Sequence, residues 1–442
     1  MKSDISGFPE FLPQEQIVFS EIMEIIKKKF EFYGFVPMDT PAVERVSTLL
    51  AKGDDNEIYG LYRLADGENA KKDLGLRFDL TVPLARYVAA HFGQLVFPYK
   101  RYHIAPVWRG ERPQYGRYRQ FYQCDVDVVG NGELSLAHDA EIILLVTDVL
   151  QSLNIFNFHT KINNRKILSG FLKTFADEKT VTEIIKLIDK IGKISYDEFD
   201  EAVLQQKVSD NDLRKIRSFL EIEKRGRNLE VLKWMETLKF NEEYSLGVSE
   251  LEETLQLLKK MEIEDNKIKI SMKLARGLTY YTGNVFETVL DDFDDLGSIA
   301  GGGRYDNLVR SLSDKYFPGV GVTIGISRLV PKLLEKGLLK ADRSATAQLL
   351  VTVQCREYMG SYLKMADKLR SIGIKTEIYL HDKNLGAQLS YASKKGIKFV
   401  LIANEMELLD GRAIIRNLET KEQMTISVPT FAEEISKFME PQ

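Results

Sequence analysis

One stretch, residues 98–130, PYKRYHIAPVWRGERPQYGRYRQFYQCDVDVVG, constrains the fold of this chain more than any other. Two runs rich in aromatic and β-branched residues, 99–109 and 117–129, flank a polar loop, Glu111-Arg112-Pro113-Gln114-Tyr115, bracketed by Gly110 and Gly116. That pattern predicts a β-hairpin. Alternate residues of a strand share a face. Arg117, Arg119, Phe121, Gln123, Asp125 and Asp127 therefore fall on one side of the second strand, and Tyr118, Gln120, Tyr122, Cys124, Val126 and Val128 on the other. The second set reads as a core face. The first carries guanidiniums at one end, an amide in the middle and carboxylates at the far end. Such a surface suits a phosphate at one end and a cationic or hydrogen-bond-donating group at the other, because the planar arginine fork donates two parallel hydrogen bonds. The charge pattern alone also fits a solvated hairpin with scattered, weak ion pairs.

The setting is narrowed by length and charge. A chain of 442 residues is long enough for roughly three domains and a large core. A net charge of −4 gives no global basic field, so a nucleic-acid partner needs local basic patches. Cys124 and Cys355 make no disulfide framework, and without a CxxC or a histidine cluster a structural zinc site is not expected. This cysteine usage fits a reducing cytoplasm. The first residues, MKSDISGFPEFLPQEQ, hold no hydrophobic signal region, and no apolar run is long enough to span a membrane. The expectation is a cytoplasmic protein with no membrane partner.

Along the chain, residues 14–32 have a helical period, with Ile17, Ile22, Ile25, Ile26 and Phe30 on one stripe. YGFVPMDTPAV then reads as a helix-to-strand junction near Pro41. In LGLRFDLTVPLARYVA, residues 74–89, Arg77, Asp79 and Thr81 share a strand face, Pro83 is expected to end the strand, and a helix follows. An Asp and a Thr two apart can hold a small ammonium group; a strand-end cap fits them as well. Residues 134–153 read as a helix and 156–162 as a strand. From 169 to 258 the chain is dense in Lys, Glu, Asp, Leu and Ile with helical period, which predicts an inserted helical domain with helices at 171–175, 181–191, 213–220, 229–238 and 251–261. Its Arg214, Lys215, Arg217, Lys224, Arg225 and Arg227 suit RNA phosphates, and an ordinary solvated helix surface explains each of them too.

KIKISMKLARGLTYYTGNVFETVL, residues 267–290, returns to strand character. Leu274, Arg276, Leu278 and Tyr280 share one face and Ala275, Gly277, Thr279 and Tyr281 the other, unless Gly277 marks a bulge that resets the phase. The adjacent tyrosines also fit core packing with satisfied hydroxyls. SIAGGGRYD, residues 298–306, has three consecutive glycines, which let backbone approach a ligand or make a tight turn. VGVTIGISRLV, residues 320–330, is an apolar strand, Gly325, and a helix start carrying Arg328. A charged linker, EKGLLKADRS, leads into a region of alternating elements: strands at 349–355, 375–380 and 398–402, and helices at 358–372 and 385–395. That order predicts a small α/β domain with parallel strand pairs.

The central hairpin resembles motif 2 of the class II aminoacyl-tRNA synthetases, and GERPQYGRYRQFYQCDVDVVG is similar to the histidyl-tRNA synthetase family in particular. The helix-to-strand junction resembles motif 1, which builds the dimer interface of that class, and VGVTIGISRLV has the layout of motif 3. RFDLTVPLARY resembles the segment of the family that holds the substrate's amino group. ARGLTYYTG resembles its histidine-specific signature, with Thr279 where the family often has an acid. NLGAQLSYASKKGIKFVLIANEME resembles its anticodon-binding domain. The resemblance covers most of the chain.

It implies an α/β (α+β) fold with an antiparallel-sheet catalytic domain in two parts, residues 1–168 and 259–335, split by a helical insertion, residues 169–258, that meets the acceptor arm, and followed by an α/β anticodon-binding domain, residues 345–442. It also implies a homodimer. The implied reaction joins L-histidine to tRNA(His): ATP activates histidine as histidyl-adenylate, and a terminal ribose hydroxyl of the tRNA takes the histidyl group. By the same resemblance Arg109 and Arg276 act on the α-phosphate from opposite sides, with Glu111 near the adenine amino group, Arg117 at the phosphates, and Arg328 at the adenine and γ-phosphate. Asp79, Thr81 and Gln123 bind the ammonium group of histidine, Asp127 and Tyr281 read its imidazole, and Tyr280 lines the same pocket. Arg112, Gln114 and Tyr115 enter the acceptor stem of tRNA, where stacking and polar edge contacts read RNA ends. Mg²⁺ bridges the β- and γ-phosphates rather than sitting in a cage of protein ligands.

Two other kinds of protein share parts of this pattern. A non-catalytic regulatory paralogue that binds ATP phosphoribosyltransferase keeps the catalytic fold, but usually lacks the anticodon domain and loses motif residues. Another class II synthetase, such as a prolyl, threonyl or glycyl enzyme, shares the architecture. Arg109, Arg276, Arg328 and the terminal domain argue against the first, and ARGLTYYTG and FYQCDVDVVG against the second.

Overall fold

The aromatic-rich runs on either side of Gly110 and Gly116 pair as an antiparallel hairpin, with Tyr99 opposite Val129 and Trp108 opposite Gln120. The computed structural model that shows this describes residues 5–50, 57–69, 71–113, 116–276, 281–306, 315–427 and 430–439. Gln114, Tyr115, Gly277, Leu278, Thr279 and Tyr280 lie outside the described residues. The chain forms two compact units, Met1–Pro9 with Ile22–Glu335, and Glu10–Glu21 with Lys336–Gln442.

Up to the hairpin the elements are α1 (Pro13–Phe32), β1 (Val36–Pro37), β2 (Val43–Arg45), α2 (Val46–Leu50), β3 (Gly60–Leu61), β4 (Leu74–Leu76), α3 (Thr81–His91), β5 (Tyr99–Trp108) and β6 (Gln120–Val129). Then come α4 (Ala137–Ser152), β7 (Phe158–Asn164), α5 (Arg165–Leu172), α6 (Glu178–Ile188), α7 (Tyr196–Leu204), α8 (Asp210–Leu220), α9 (Asn228–Leu238) and α10 (Glu242–Lys260). The first unit closes with β8 (Ile268–Ile270), β9 (Tyr281–Leu290), β10 (Ser298–Tyr305), β11 (Gly319–Ile324) and α11 (Ile326–Glu335). Its main sheet has eight strands in the order β1-β5-β6-β11-β10-β9-β7-β8. All neighbours are antiparallel except the outer pairs, β1 with β5 and β7 with β8.

β6 lies inside this sheet, between β5 and β11, and so departs from a two-faced strand. Cys124, Val126 and Val128 are buried as expected, but Gln123, Asp125 and Asp127 are buried too. Charged groups removed from water need partners, and the site below shows which ones they find.

Three local readings are corrected. Arg77, Asp79 and Thr81 do not share a strand: β4 stops at Leu76 and α3 begins at Thr81. Pro83 sits in the first turn of that helix, where a missing N–H leaves no hydrogen bond unmade. Residues 267–290 are not one strand but two: β8 ends at Ile270, the Leu274 N–H then closes a turn on the Ser271 carbonyl, and Arg276 has a left-handed backbone, φ 43°. The triple glycine is not a turn but the middle of β10.

The segment read as helical is helical, and side-chain caps set its boundaries. Asn164 caps α5, Asp177 caps α6, Ser209 caps α8 and Asn241 caps α10, each accepting a backbone N–H of the first turn. The helix expected at 171–175 therefore starts earlier, at Arg165. α7 was not anticipated, although Ser195 and Glu198 form a reciprocal capping box, an S-x-x-E signal visible in the sequence.

The second unit contains β12 (Leu349–Val351), α12 (Met359–Ser371), β13 (Thr376–Ile378), α13 (Leu385–Lys395), β14 (Phe399–Ile402), α14 (Glu405–Leu409), β15 (Arg412–Asn417), β16 (Gln423–Ser427) and α15 (Phe431–Met439). Its five-stranded sheet runs β13-β12-β14-β15-β16, with the first three strands parallel. β15 and β16 add an antiparallel edge beyond the alternation read from sequence.

Candidate active site

One large cavity, about 2180 Å³, opens over the β6, β9, β10 and β11 strands and extends toward the helices between α6 and α10. Asp79, Thr81, Arg109, Arg117, Gln123, Arg276, Tyr281 and Arg328 all line it. Residues spread over 250 positions of sequence are thus brought to one space.

Three arginines come from different elements. Arg109 directly follows β5; its Nε donates to the Phe78 carbonyl at 3.0 Å, and its guanidinium lies 5.1 Å from the ring centre of Phe121. Arg328, in the first turn of α11, donates from Nε to the Gly116 carbonyl at 3.1 Å and from Nη1 to the Ser298 carbonyl at 3.0 Å. It thereby ties the end of the hairpin loop to the start of β10. Burial lowers the Arg328 pKa, and the charges of Arg117 and Arg109 lower it further. Glu111 and Glu287 oppose that trend without cancelling it. Three like charges held this close favour an anion between them.

Arg276 reaches the same cavity from the segment between β8 and β9. Its Nη1 donates to the Phe286 carbonyl at 3.1 Å, its Nη2 lies 3.7 Å from Glu287 Oε1, and its guanidinium is 5.7 Å from the Tyr281 ring centre. A left-handed arginine is strained, and neighbouring groups hold it. Arg165 donates from Nη1 to the carbonyls of Ala275 (2.6 Å) and Arg276 (3.2 Å), and Asn163 donates to that of Leu274. Glycine at 301 leaves the guanidinium its place: a Cβ there would lie 2.0 Å from Arg276 Nη1. Gly302 faces the Gly321 backbone, and Gly303 faces the Tyr281 ring. The glycine run therefore makes room for protein groups of the site and for the neighbouring strand.

Asp79 also lines the cavity, and its Oδ1 accepts the Val82 N–H at 2.9 Å in the first turn of α3, a helix-start contact rather than the strand-end cap weighed in the sequence. Gln123 donates from Nε2 to Thr323 Oγ1 at 3.2 Å, and its Oε1 is buried without a hydrogen-bond partner. Tyr281, the first residue of β9, is buried and lines the same cavity.

Asp127 is not among the lining residues. One carboxylate oxygen pairs with Arg101 Nη2 at 2.5 Å and the other accepts the Tyr305 hydroxyl at 2.7 Å. Glu111 and Arg112 also lie outside the lining; Glu111 Oε2 stands 3.8 Å from Arg117 Nη1, and Arg112 is exposed. Sequence reasoning passed over Arg101, Asp125, Arg165 and Thr323. Only Asp125 carried a signal, its place on the same strand face as Gln123.

The sequence profile of the histidyl-tRNA synthetase family matches residues 7–329, and that of the anticodon-binding domain matches residues 348–438. A histidine–tRNA ligase of Clostridium tetani is 40% identical over 435 residues, covering 97% of this chain and 98% of that protein. The crystal structure of histidyl-tRNA synthetase from Nostoc sp. PCC 7120 superposes with a TM-score of 0.89 at 37% identity, over 99% of this chain and 100% of that one. An ATP phosphoribosyltransferase regulatory subunit/histidyl-tRNA synthetase from Bacillus halodurans shares the fold, with a TM-score of 0.73 at 20% identity over 88% of this chain and 96% of that one. With matches of this extent to both parts of the chain, over a cavity that gathers the motif arginines, the protein belongs to the histidyl-tRNA synthetase family.

Proposed function

We propose that the protein is a histidine–tRNA ligase that uses ATP to charge tRNA(His). One observation carries the proposal: Arg109, Arg276 and Arg328 line a single cavity together with Asp79, Thr81, Gln123 and Tyr281. In the first step a carboxylate oxygen of histidine attacks the α-phosphorus of ATP, and the bond to the bridging oxygen breaks with its electron pair leaving on pyrophosphate. In the second a terminal ribose hydroxyl of the tRNA attacks the acyl carbon, and AMP leaves.

The first step asks the protein mainly for positioning and charge stabilisation. Arg109 and Arg276 hold the α-phosphate from two sides. Arg328 holds the adenine and γ-phosphate end, with Arg117 at the phosphates and Glu111 toward the adenine amino group. Asp79, Thr81 and the unpartnered Oε1 of Gln123 receive the ammonium group. Tyr281 and Asp127, the latter paired with Arg101, read the imidazole, and Tyr280 lines the same pocket. Arg112, Gln114 and Tyr115 meet the acceptor end of tRNA, α5–α10 its acceptor arm, and the second unit its anticodon.

Mg²⁺ usually keeps several waters and binds through one or two carboxylates plus substrate phosphates. Glu287, a lining carboxylate beside Arg276, fits that donor set, and the ion would offset charge on the β- and γ-phosphates. A homodimer through the motif 1 region agrees with the outer position of β1 and with Phe32 (83% exposed) and Val36 (47% exposed) beside it. No helix among the described residues is long and apolar enough to cross a membrane, and charging tRNA is work for the cytoplasm.

Pyrophosphate exchange with each amino acid in turn tests the reading. Histidine alone should support exchange; exchange driven equally by another amino acid would contradict it.

A further inference from the structure

The amino-acid end of the cavity is built from two separate pieces of chain. Asp79 and Thr81 flank Leu80 at the start of α3, and Gln123 belongs to β6. A third element joins them. Arg101, on β5, is fully buried, and its Nη2 both donates to the Leu80 carbonyl at 3.2 Å and pairs with Asp127 Oδ2 at 2.5 Å. Asp125, on the same face of β6, feels the same positive charge. Nε and Nη1 of Arg101 and Oδ1 of Asp125 are buried without a hydrogen-bond partner.

Such a cluster adds little stability. Burying an ion pair costs several kcal/mol per ion, and apolar residues of similar volume often do as well or better. Incompletely satisfied donors make the balance worse. What the guanidinium does supply is geometry. A single nitrogen fixes both the Leu80 carbonyl and the Asp127 carboxylate, and a movement of Leu80 carries Asp79 and Thr81 with it. An interaction that adds little to stability and sets the spacing of two walls of a binding site is better explained by the site than by the fold.

We propose that Arg101 is a positioning residue for the amino-acid subsite, holding the Asp79–Thr81 turn against β6 at the spacing the amino acid bridges. This rests on reading that end of the cavity as the histidine subsite. Arg101 touches neither substrate; it acts through Leu80 and Asp127.

The test is pyrophosphate exchange by Arg101→Leu, Arg101→Lys and Asp79→Ala, titrating histidine and ATP separately, with thermal melting of each variant. Arg101→Leu should raise the histidine KM roughly tenfold to a hundredfold, the scale of a lost charged hydrogen bond, and leave the ATP KM within about threefold. Arg101→Lys keeps a charge for Asp127 but lacks the planar fork; it should raise the histidine KM at least threefold. If Arg101→Leu does not fold, Arg101→Lys carries the test alone. A histidine KM moved less than threefold, or equal rises in both KM values, overturns the proposal. Asp79→Ala separates the proposal from its premise. An unchanged histidine KM there removes the subsite reading and Arg101's role with it. A raised one, with the Arg101 variants unmoved, keeps the subsite and removes Arg101 alone.

Discussion

Gly301→Ala offers a perturbation whose size follows from the geometry. An added Cβ would lie 2.0 Å from Arg276 Nη1 and 2.6 Å from its Cζ and Nη2. Non-bonded heavy atoms settle at roughly 3.5 Å, so the guanidinium must retreat by about 1.5 Å and give up its hydrogen bond to Phe286. The arginine cannot follow by shifting its backbone, because Arg165 and Asn163 hold residues 274–276. Misplacing a catalytic group by about 1 Å costs on the order of a hundredfold in rate, or about 2.7 kcal/mol in the barrier. The fold should tolerate the change within about 1 kcal/mol, because what is displaced is the movable end of a side chain and alanine costs less conformational entropy than glycine in a strand. The assay is histidine-dependent pyrophosphate exchange together with a thermal melt. Gly302→Ala is the contrast: its Cβ would meet the Gly321 carbonyl oxygen at 1.9 Å, so it should lose stability as well as activity. Exchange by Gly301→Ala within about threefold of wild type would refute the placing of Arg276 at the reacting phosphate.

Three further outcomes are expected. Arg109→Ala should abolish histidine-dependent exchange, lowering it by roughly a thousandfold; wild-type exchange would show that the phosphate lies elsewhere. Asp127→Ala should raise the histidine KM much more than the ATP KM, because it breaks the buried pair with Arg101; equal changes would remove Asp127 from the amino-acid subsite. Burial pushes the Asp125 carboxyl up to about 7; the nearby charges of Asp127 and Asp79 add to the rise, while Arg101 and Thr323 oppose it. The folded protein thus holds this proton more tightly than the unfolded chain. The stability it contributes is complete below about pH 4 and is lost as the pH climbs to about 7, by up to about 4 kcal/mol. Urea unfolding of Asp125→Asn should show a flatter pH dependence than wild type between pH 5 and 7.5, and identical slopes would contradict the assignment.

The hairpin and its neighbours were legible because aromatic and β-branched runs, bracketed by glycines, point to one structure. The second unit was legible in part: its βαβ alternation was plain, whereas β15 and β16, short and half polar, gave little signal. The start of α3 was hidden because Asp79 and Thr81 alternate like a strand and Pro83 reads as a terminator, while a proline in a first turn costs a helix nothing. The left-handed backbone at Arg276 was hidden for a different reason. No side-chain pattern marks a non-glycine residue held left-handed by hydrogen bonds from Arg165, a residue 111 positions away. Arg101 is the clearest case. A charge in a strand normally marks the solvent face, and only the β5–β6 register, which sets Arg101 opposite Asp127, shows that it is buried and paired.

A crystal structure of the protein with ATP and histidine tests the central claim most directly. The account predicts the α-phosphate between Arg109 and Arg276, the adenine end of the nucleotide against Arg328, and the histidine ammonium group within hydrogen-bonding reach of Asp79 and Gln123. A nucleotide bound away from those three arginines would contradict it.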